Sequence, residues 1–68
     1  MNKLFTNTVQ QYRQKQNMTQ EELAAAVGVT RQTIISIEKG NCVPSVLLAL
    51  RLARVFTCQV EDIFTEIS

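Results

Sequence analysis

The apolar residues between Gln20 and Lys39 recur at the three- and four-residue spacing of two short helices. They lie on both sides of one glycine, with Leu23, Ala24 and Val27 before it and Val29, Ile34 and Ile37 after it. That glycine, Gly28, can take the positive φ angle of a tight turn, which a residue with a Cβ resists. The pattern therefore predicts a helix-turn-helix pair. Such pairs also occur in helical bundles that bind no nucleic acid.

Helix-start signals precede both members of the pair. Thr19 followed by Glu22 forms a capping box, and Met18 can pack against Leu23 across it. Thr30 provides a second N-cap after the turn. These signals place the helix starts at residues 20 and 31.

Three more helices fit the remaining chain. The first is predicted from about Thr6 to Gln16, with Val9 and Tyr12 facing inward and Asn17 closing it in the left-handed conformation. The last is a short helix from about Val60 to Phe64.

The fourth predicted helix is unusually apolar. It follows the Gly40–Pro44 loop, is capped by Ser45 and runs to about Phe56, with only Arg51 and Arg54 interrupting the apolar residues. A surface helix needs one apolar stripe, whereas this one is apolar on nearly all sides. It is therefore expected to lie at the centre of the fold or to be shared with a second molecule.

The sequence thus predicts an all-α fold of five helices in a single domain, residues 1–68. No segment of any length alternates with the period of a strand. The ends, Lys3–Phe5 and Phe64–Ile67, could pair as a small ribbon, but the signal is poor.

Composition argues against catalysis and metal binding. The chain has no histidine, no serine or cysteine beside an evident base, and only two cysteines, Cys42 and Cys58, without a CxxC motif. Two thiols are too few ligands for a structural zinc site, and Cys58 is expected to pack as a small apolar group. No enzyme activity, cofactor or small-molecule ligand is predicted.

The sequence also shows no membrane-spanning or export signal. No apolar run approaches the ~20 residues that span a bilayer, and MNKLFTNT lacks the apolar core of a signal peptide. A cytoplasmic location is expected.

The net charge of +1 gives little support to DNA binding, but its distribution gives more. Residues 1–40 carry five basic and three acidic side chains, whereas residues 41–68 carry two basic and three acidic ones. The small positive excess coincides with the helix-turn-helix pair.

The residue order also resembles a known family. From Val9 to Phe64 the segments VQQYR, MTQEELAAAVGVTRQTI, IEKG, the Pro-Ser pair and VEDIF are similar to the Cro/C1-type, or XRE-type, helix-turn-helix regulators. Their fold is the five-helix λ-repressor-like domain. By length, the chain looks like the short stand-alone members, which resemble dimeric repressors. The resemblance therefore implies a repressor that binds a palindromic operator in double-stranded DNA as a homodimer.

The resemblance assigns base contacts to residues 30–38, the recognition helix, where Arg31, Gln32 and Ser36 would face the groove with Thr33 alongside. Arg can bridge guanine O6 and N7, Gln can bridge adenine N6 and N7, and Ser is permissive. The side chains of Arg31 and Gln32 could instead be solvated residues at the start of a helix, with no contact to DNA. The Thr33 hydroxyl could serve only to cap that helix.

Phosphate contacts are assigned in the same way to Thr19, Gln20, Lys39 and Asn41. Gln20 opens a helix, where its backbone N–H and its side chain can hold an anion. Lys39 could alternatively provide only favourable charge at the end of a helix.

Arg13 and Glu38 resemble the internal ion pair of the family, which would fix the angle of the recognition helix. Two positions depart from the family pattern. Ile35 replaces a usually polar residue and could meet a thymine methyl group or a neighbouring helix. Cys42 and Val43 replace polar loop residues whose side chains usually help hold phosphates. In this loop the backbone N–H groups of Asn41 and Val43 could still contact phosphates.

Surplus apolar residues suggest a dimer interface, for which the candidates are Leu47, Leu48, Val55, Phe64 and Ile67. These side chains could equally form the core of a monomer. An alternative function is an antitoxin or phage-type modulator that acts mainly through another protein.

Overall fold

The computed structural model describes residues 5–67 and contains five helices and a two-stranded ribbon. The elements in chain order are β1 (Phe5–Asn7), α1 (Val9–Lys15), α2 (Gln20–Val27), α3 (Arg31–Glu38), α4 (Val46–Phe56), α5 (Val60–Ile63) and β2 (Phe64–Glu66). The five predicted helices are confirmed. Lys3, which was predicted to join the ribbon, lies outside the described residues.

The caps predicted for the helix-turn-helix pair are confirmed. The Thr19 hydroxyl accepts a hydrogen bond from the Glu22 backbone N–H at 3.0 Å, and the Glu22 carboxylate accepts one from the Thr19 N–H at 2.8 Å. Thr30 accepts from the Thr33 N–H in the same way. These bonds satisfy donors that a helix start would otherwise leave without partners.

Gly28 ends α2 in the left-handed conformation, with φ +77°. A Cβ at this position would lie 3.2 Å from the Nη1 atom of Arg51. That Nη1 atom donates a hydrogen bond to the Val27 carbonyl at 3.3 Å, so Arg51 of α4 caps the C-terminal end of α2. The absence of a side chain at residue 28 therefore serves both the turn and this inter-helix contact.

The first helix is shorter than predicted, beginning at Val9 rather than at Thr6. The Asn7 side-chain oxygen accepts a hydrogen bond from the Val9 N–H at 3.2 Å, and the Thr8 N–H donates to the Ile63 carbonyl at 2.9 Å. Because residues 7 and 8 are held by these contacts, the helix cannot extend back to Thr6. Its predicted left-handed end at Asn17 is confirmed, with φ 57°.

Thr6 belongs instead to the ribbon. β1 pairs antiparallel with β2, so that Phe5 faces Glu66 and Asn7 faces Phe64. Within residues 5–67 the first paired residue is Phe5, where the predicted N-terminal segment ended. The fifth helix accordingly ends at Ile63, one residue earlier than predicted, because Phe64 is extended and begins the strand.

The hydrophobic core lies between the helices and receives side chains from all five of them. Its fully enclosed members are Val9, Leu23, Val27, Ile34, Ile37, Leu52 and Ile63. Tyr12 packs on this core by stacking on Phe56, with ring centroids 5.3 Å apart. α4 crosses the core as expected of its composition, yet it also leaves Val46, Leu47 and Leu50 exposed.

The longest helix between residues 5 and 67 has 11 residues, and none there is long and apolar enough to cross a membrane.

Candidate nucleic-acid interface

α3 presents its N-terminal polar residues to solvent because its apolar residues are used in the core. Ile34 and Ile37 are fully buried, whereas Arg31 and Gln32 are exposed. The cap at Thr30 fixes where the helix starts and hence the direction in which residues 31 and 32 project. Two candidate base-contacting side chains thus lie at an accessible helix start.

The other two candidates on α3 are half-buried. The Thr33 hydroxyl lies 3.1 Å from the Thr30 hydroxyl, so it takes part in the cap as well as facing outward. Ser36 lies one turn further along the helix. Ile35 is also half-buried, and its two possible roles stay open.

An ion pair joins α1 to the end of α3. Arg13 Nε lies 2.8 Å from Glu38 Oε2, and Arg13 Nη2 lies 3.3 Å from Glu38 Oε1. The two side chains are only 11% and 7% exposed, and Arg13 Nη1 donates a further bond to the Met18 carbonyl at 2.8 Å. The bidentate geometry and the burial fix the position of α3 relative to α1.

Gln20 extends this pair towards the start of α3. Its Nε2 donates to Glu38 Oε1 at 3.2 Å, and its Oε1 accepts from Arg31 Nε at 3.4 Å. Arg31 also lies 4.0 Å from the exposed carboxylate of Glu21. A polar depression of about 580 Å³ lies between the three helices and is lined by Arg13, Thr19, Gln20, Glu21 and Arg31.

The candidate phosphate contacts surround this surface. Gln20 is the first residue of α2, where a backbone N–H has no acceptor within its own helix. The Thr19 oxygen and N–H serve the capping box, which leaves its hydroxyl hydrogen as a donor. Lys39 and Asn41 are exposed after α3.

One proposed donor is already engaged. The Asn41 backbone N–H donates to the Ser36 carbonyl at 2.9 Å, where it helps close the end of α3 around Gly40. The expectation that this N–H would hold a phosphate is therefore wrong for this structure. The exposed Asn41 side chain is the part of the residue that stays available.

Asn7 contributes to the same region, although its position in the sequence did not predict this. Its Nδ2 donates to the Ile37 carbonyl at 2.9 Å, so β1 holds the C-terminal end of α3. The only local signal was an asparagine just before a helical pattern, which is typical of an N-cap. Nothing local connects residue 7 with residue 37.

The apolar candidates for a dimer interface divide into three groups by burial. Leu48 is 7% exposed and belongs to the core of its own chain, so its assignment to an interface is wrong for this conformation. Val55 and Phe64 are half-buried against the core, whereas Leu47 and Ile67 are 56% and 47% exposed. Val43, Val46 and Leu50 are exposed as well.

An apolar groove of about 220 Å³ lies near this exposed surface. It is lined by the ribbon residues Phe5 and Phe64, by Val43 and Val46, and by Ala49 and Val60 among others. α4 has apolar side chains on its exposed side as well as on the side that faces the core. Part of its apolar area therefore stays accessible to solvent.

The two cysteines are free thiols and lie outside α3. Desolvation raises the pKa of the Cys58 thiol above its ordinary value, although a hydrogen bond with Tyr12 acts in the opposite direction. Desolvation likewise raises the pKa of the Tyr12 hydroxyl, and the nearby Cys58 adds to the effect. Cys58 packs against the core, as expected of a small apolar group.

The sequence matches known regulators over most of its length. Residues 9–63 match the helix-turn-helix family model. An uncharacterized HTH-type transcriptional regulator of Archaeoglobus fulgidus is 55% identical over 56 residues, which are 82% of this chain and 79% of that protein. The HTH-type transcriptional regulator YgzD of Bacillus subtilis is 48% identical over 58 residues, 85% of this chain and 88% of that protein.

The fold also matches that of a solved structure. The restriction-modification controller protein C.AhdI of Aeromonas hydrophila superposes with a TM-score of 0.73 at 24% identity. The superposition covers 79% of this chain and 82% of that chain. At 24% sequence identity, this structural similarity is evidence of a shared fold alone.

Proposed function

This chain belongs to the Cro/C1-type, or XRE, helix-turn-helix family of transcriptional regulators, and we propose that it is a repressor that binds a palindromic operator as a homodimer. DNA binding and transcriptional regulation follow from the family, whose members are in general not enzymes. What we propose beyond the family is that the protein binds as a homodimer, that its operator is palindromic and that it represses transcription. Within it, residues 1–68 act as one DNA-binding domain, and the cytoplasmic location stays a prediction.

The observation that carries the proposal is the division of α3 into a buried and an exposed side. Ile34 and Ile37 anchor the helix, while the exposed side chains of Arg31 and Gln32 project from its start. In the major groove, these two side chains would bridge guanine and adenine respectively, and Ser36 and Thr33 would contact neighbouring base edges.

Contacts with the DNA phosphate backbone would position α3. Along the chain, Thr19 and Gln20 at the start of α2 precede the base-reading residues, and Lys39 and Asn41 follow them after α3. Phosphate contacts at both ends would fix the register of the helix on DNA without reading sequence.

We expect Arg31→Ala and Gln32→Ala each to weaken binding to the cognate site by about 1–3 kcal/mol and to relax the preference at one base pair. The cognate site would first be selected from random DNA, and affinities measured by fluorescence anisotropy. Lys39→Ala is the matched control for a phosphate contact, and it should weaken binding to all sequences and reduce the salt dependence. Unchanged affinity of both α3 variants for the selected site would contradict the recognition-helix assignment.

The proposed dimer would use the exposed side chains of α4 and the C-terminal strand region, including Leu47 and Ile67, with Val55 and Phe64 at its edge. Two copies related by a two-fold axis would place their α3 helices roughly 34 Å apart, one turn of DNA. Removing these side chains from water is the expected driving force.

We expect light scattering to give the mass of a dimer at micromolar concentrations, and Leu47→Glu to shift the protein to monomer. Gln14→Glu, at an exposed residue of α1, is the charge-matched control and should leave the mass unchanged. A wild-type monomer at high micromolar concentration would overturn the interface. Stable co-purification with a different chain would favour instead an antitoxin or modulator that uses the same exposed apolar residues.

A further inference from the structure

We infer that Ile35 is a further base-reading residue of α3, and that its side chain contacts the C5 methyl group of a thymine in the major groove. The inference rests on the proposed function, since it requires α3 to lie in that groove. It assigns an apolar specificity contact to a position where the sequence left two roles open.

Ile35 shares the exposed side of α3 with the polar side chains at the start of the helix. It follows Arg31 by four positions and Gln32 by three, so at 3.6 residues per turn it lies about 40° and about 60° from them around the axis. The buried Ile34 and Ile37 lie about 100° and about 160° away. When α3 presents Arg31 and Gln32 to a groove, it therefore presents Ile35 as well.

The core of the domain does not use the Ile35 side chain. Ile34 and Ile37 are fully buried members of the core, whereas Ile35 is half-buried. Within residues 5–67, Ile35 is not among the partly buried apolar side chains that pack on that core. The packing therefore gives no support to a contact between Ile35 and a neighbouring helix.

The branched side chain of Ile35 is also stiff. A β-branched residue in a helix has essentially one χ1 rotamer, so its methyl groups are in position before DNA binds. Little side-chain entropy is then lost on contact. The same branching makes isoleucine a poorer helix former than straight-chain residues, so an accessible position on α3 gains no stability from it.

Thymine is the base that such a side chain can recognise. Isoleucine has neither a hydrogen-bond donor nor an acceptor, so it cannot hold a phosphate or the polar edge of a base. Thymine alone presents an apolar group in the major groove. One helical turn is about 5.4 Å and one base-pair step about 3.4 Å, so the thymine should lie one or two base pairs from the bases contacted by Arg31 and Gln32.

The test removes the methyl group from the DNA. In the site selected from random DNA, each thymine of one half-site is replaced in turn by deoxyuridine, which lacks the C5 methyl and keeps every hydrogen-bonding group. We expect the wild-type protein to bind about fourfold more weakly when the thymine under Ile35 is replaced, the effect of one carbon atom no longer withdrawn from water.

The same DNA series with Ile35→Ala shows which side chain senses the methyl group. This variant should bind the unmodified site about fivefold more weakly and should not distinguish thymine from deoxyuridine at that position. Gln10→Ala, at an exposed residue of α1, should distinguish them as the wild type does. Equal sensitivity of the wild type and Ile35→Ala at every thymine would overturn the inference. Insensitivity of the wild type at all positions, or a selected half-site without thymine, would do the same and leave the proposed function in place.

A measurement without DNA tests the competing structural role. Ile35→Val should lower the urea midpoint of unfolding by less than about 0.3 M, whereas the same change at the fully buried Ile34 should lower it by about 1 M. Equal shifts would show that Ile35 is packed on a neighbouring helix and would overturn the inference. Failure of the selection to return any site would reject the proposed function, and this inference with it.

Discussion

Glu38→Leu is expected to lower the free energy of unfolding by about 3 kcal/mol, because it leaves a charged and mostly buried Arg13 without a partner. The Arg13 guanidinium is 11% exposed and would lose two hydrogen bonds to the carboxylate. Urea denaturation followed by circular dichroism measures the change. A domain of 68 residues has about 3–10 kcal/mol of stability in total, so the loss would be a large part of it.

Two further variants show whether the loss comes from the unpaired charge. Arg13→Met combined with Glu38→Leu should recover much of the stability, since apolar side chains often replace a buried ion pair at little cost. Recovery should be incomplete because the Met18 carbonyl and Gln20 still lose a partner. Glu21→Leu, which removes an exposed carboxylate, should cost less than about 1 kcal/mol. A Glu38→Leu variant as stable as Glu21→Leu would show that the pair contributes nothing.

Leu52→Ala is expected to destabilise the domain by about 3 kcal/mol, because it removes a fully buried side chain from the centre of α4. The loss combines the transfer of three carbon atoms with the cavity left among rigid neighbours. The measurement is again the midpoint and slope of urea denaturation. Leu52→Val is a milder variant that keeps the protein folded, with an expected loss of about 1 kcal/mol.

Leu50→Ala is the matched control on the same helix. Leu50 is 54% exposed, so the same chemical change should alter the stability of the monomer by less than about 0.5 kcal/mol. If the proposed dimer forms through this surface, Leu50→Ala should instead weaken association. Equal destabilisation by both substitutions at low protein concentration would contradict the described orientation of α4.

The sequence predicted best those features that depend on neighbouring residues. Thr19 with Glu22, Thr30, Ser45 and Gly28 mark helix ends through hydrogen bonds or backbone angles within a few positions, and the structure has each of them. Capping signals act over one helical turn, so they can be recognised without knowledge of the fold.

Features formed by distant residues were missed or misplaced. Asn7 contacts both Val9 and the Ile37 carbonyl, and its strand pairs with one more than fifty residues away. The pattern around Thr6 favours a helix when it is considered alone. The tertiary contacts of residues 7 and 8 determine the start of α1 instead.

The same limit applies to the candidate site. The similarity to known regulators was enough to select Arg31, Gln32 and the Arg13–Glu38 pair. It did not indicate that Gln20 connects Arg31 to Glu38, which depends on the relative position of three helices. The sequence also did not show which leucines of α4 are buried, because Leu47 and Leu48 have the same chemistry but lie on different faces of the helix.

The ribbon has a consequence for the order of folding. Phe5 and Glu66 are partners across it, so its formation closes a loop that contains all five helices. The entropic cost of closing so long a loop falls once the helices have shortened the path between its ends. We therefore expect the helices to assemble first and the ribbon to form late, when its Asn7 contact completes the attachment of α3.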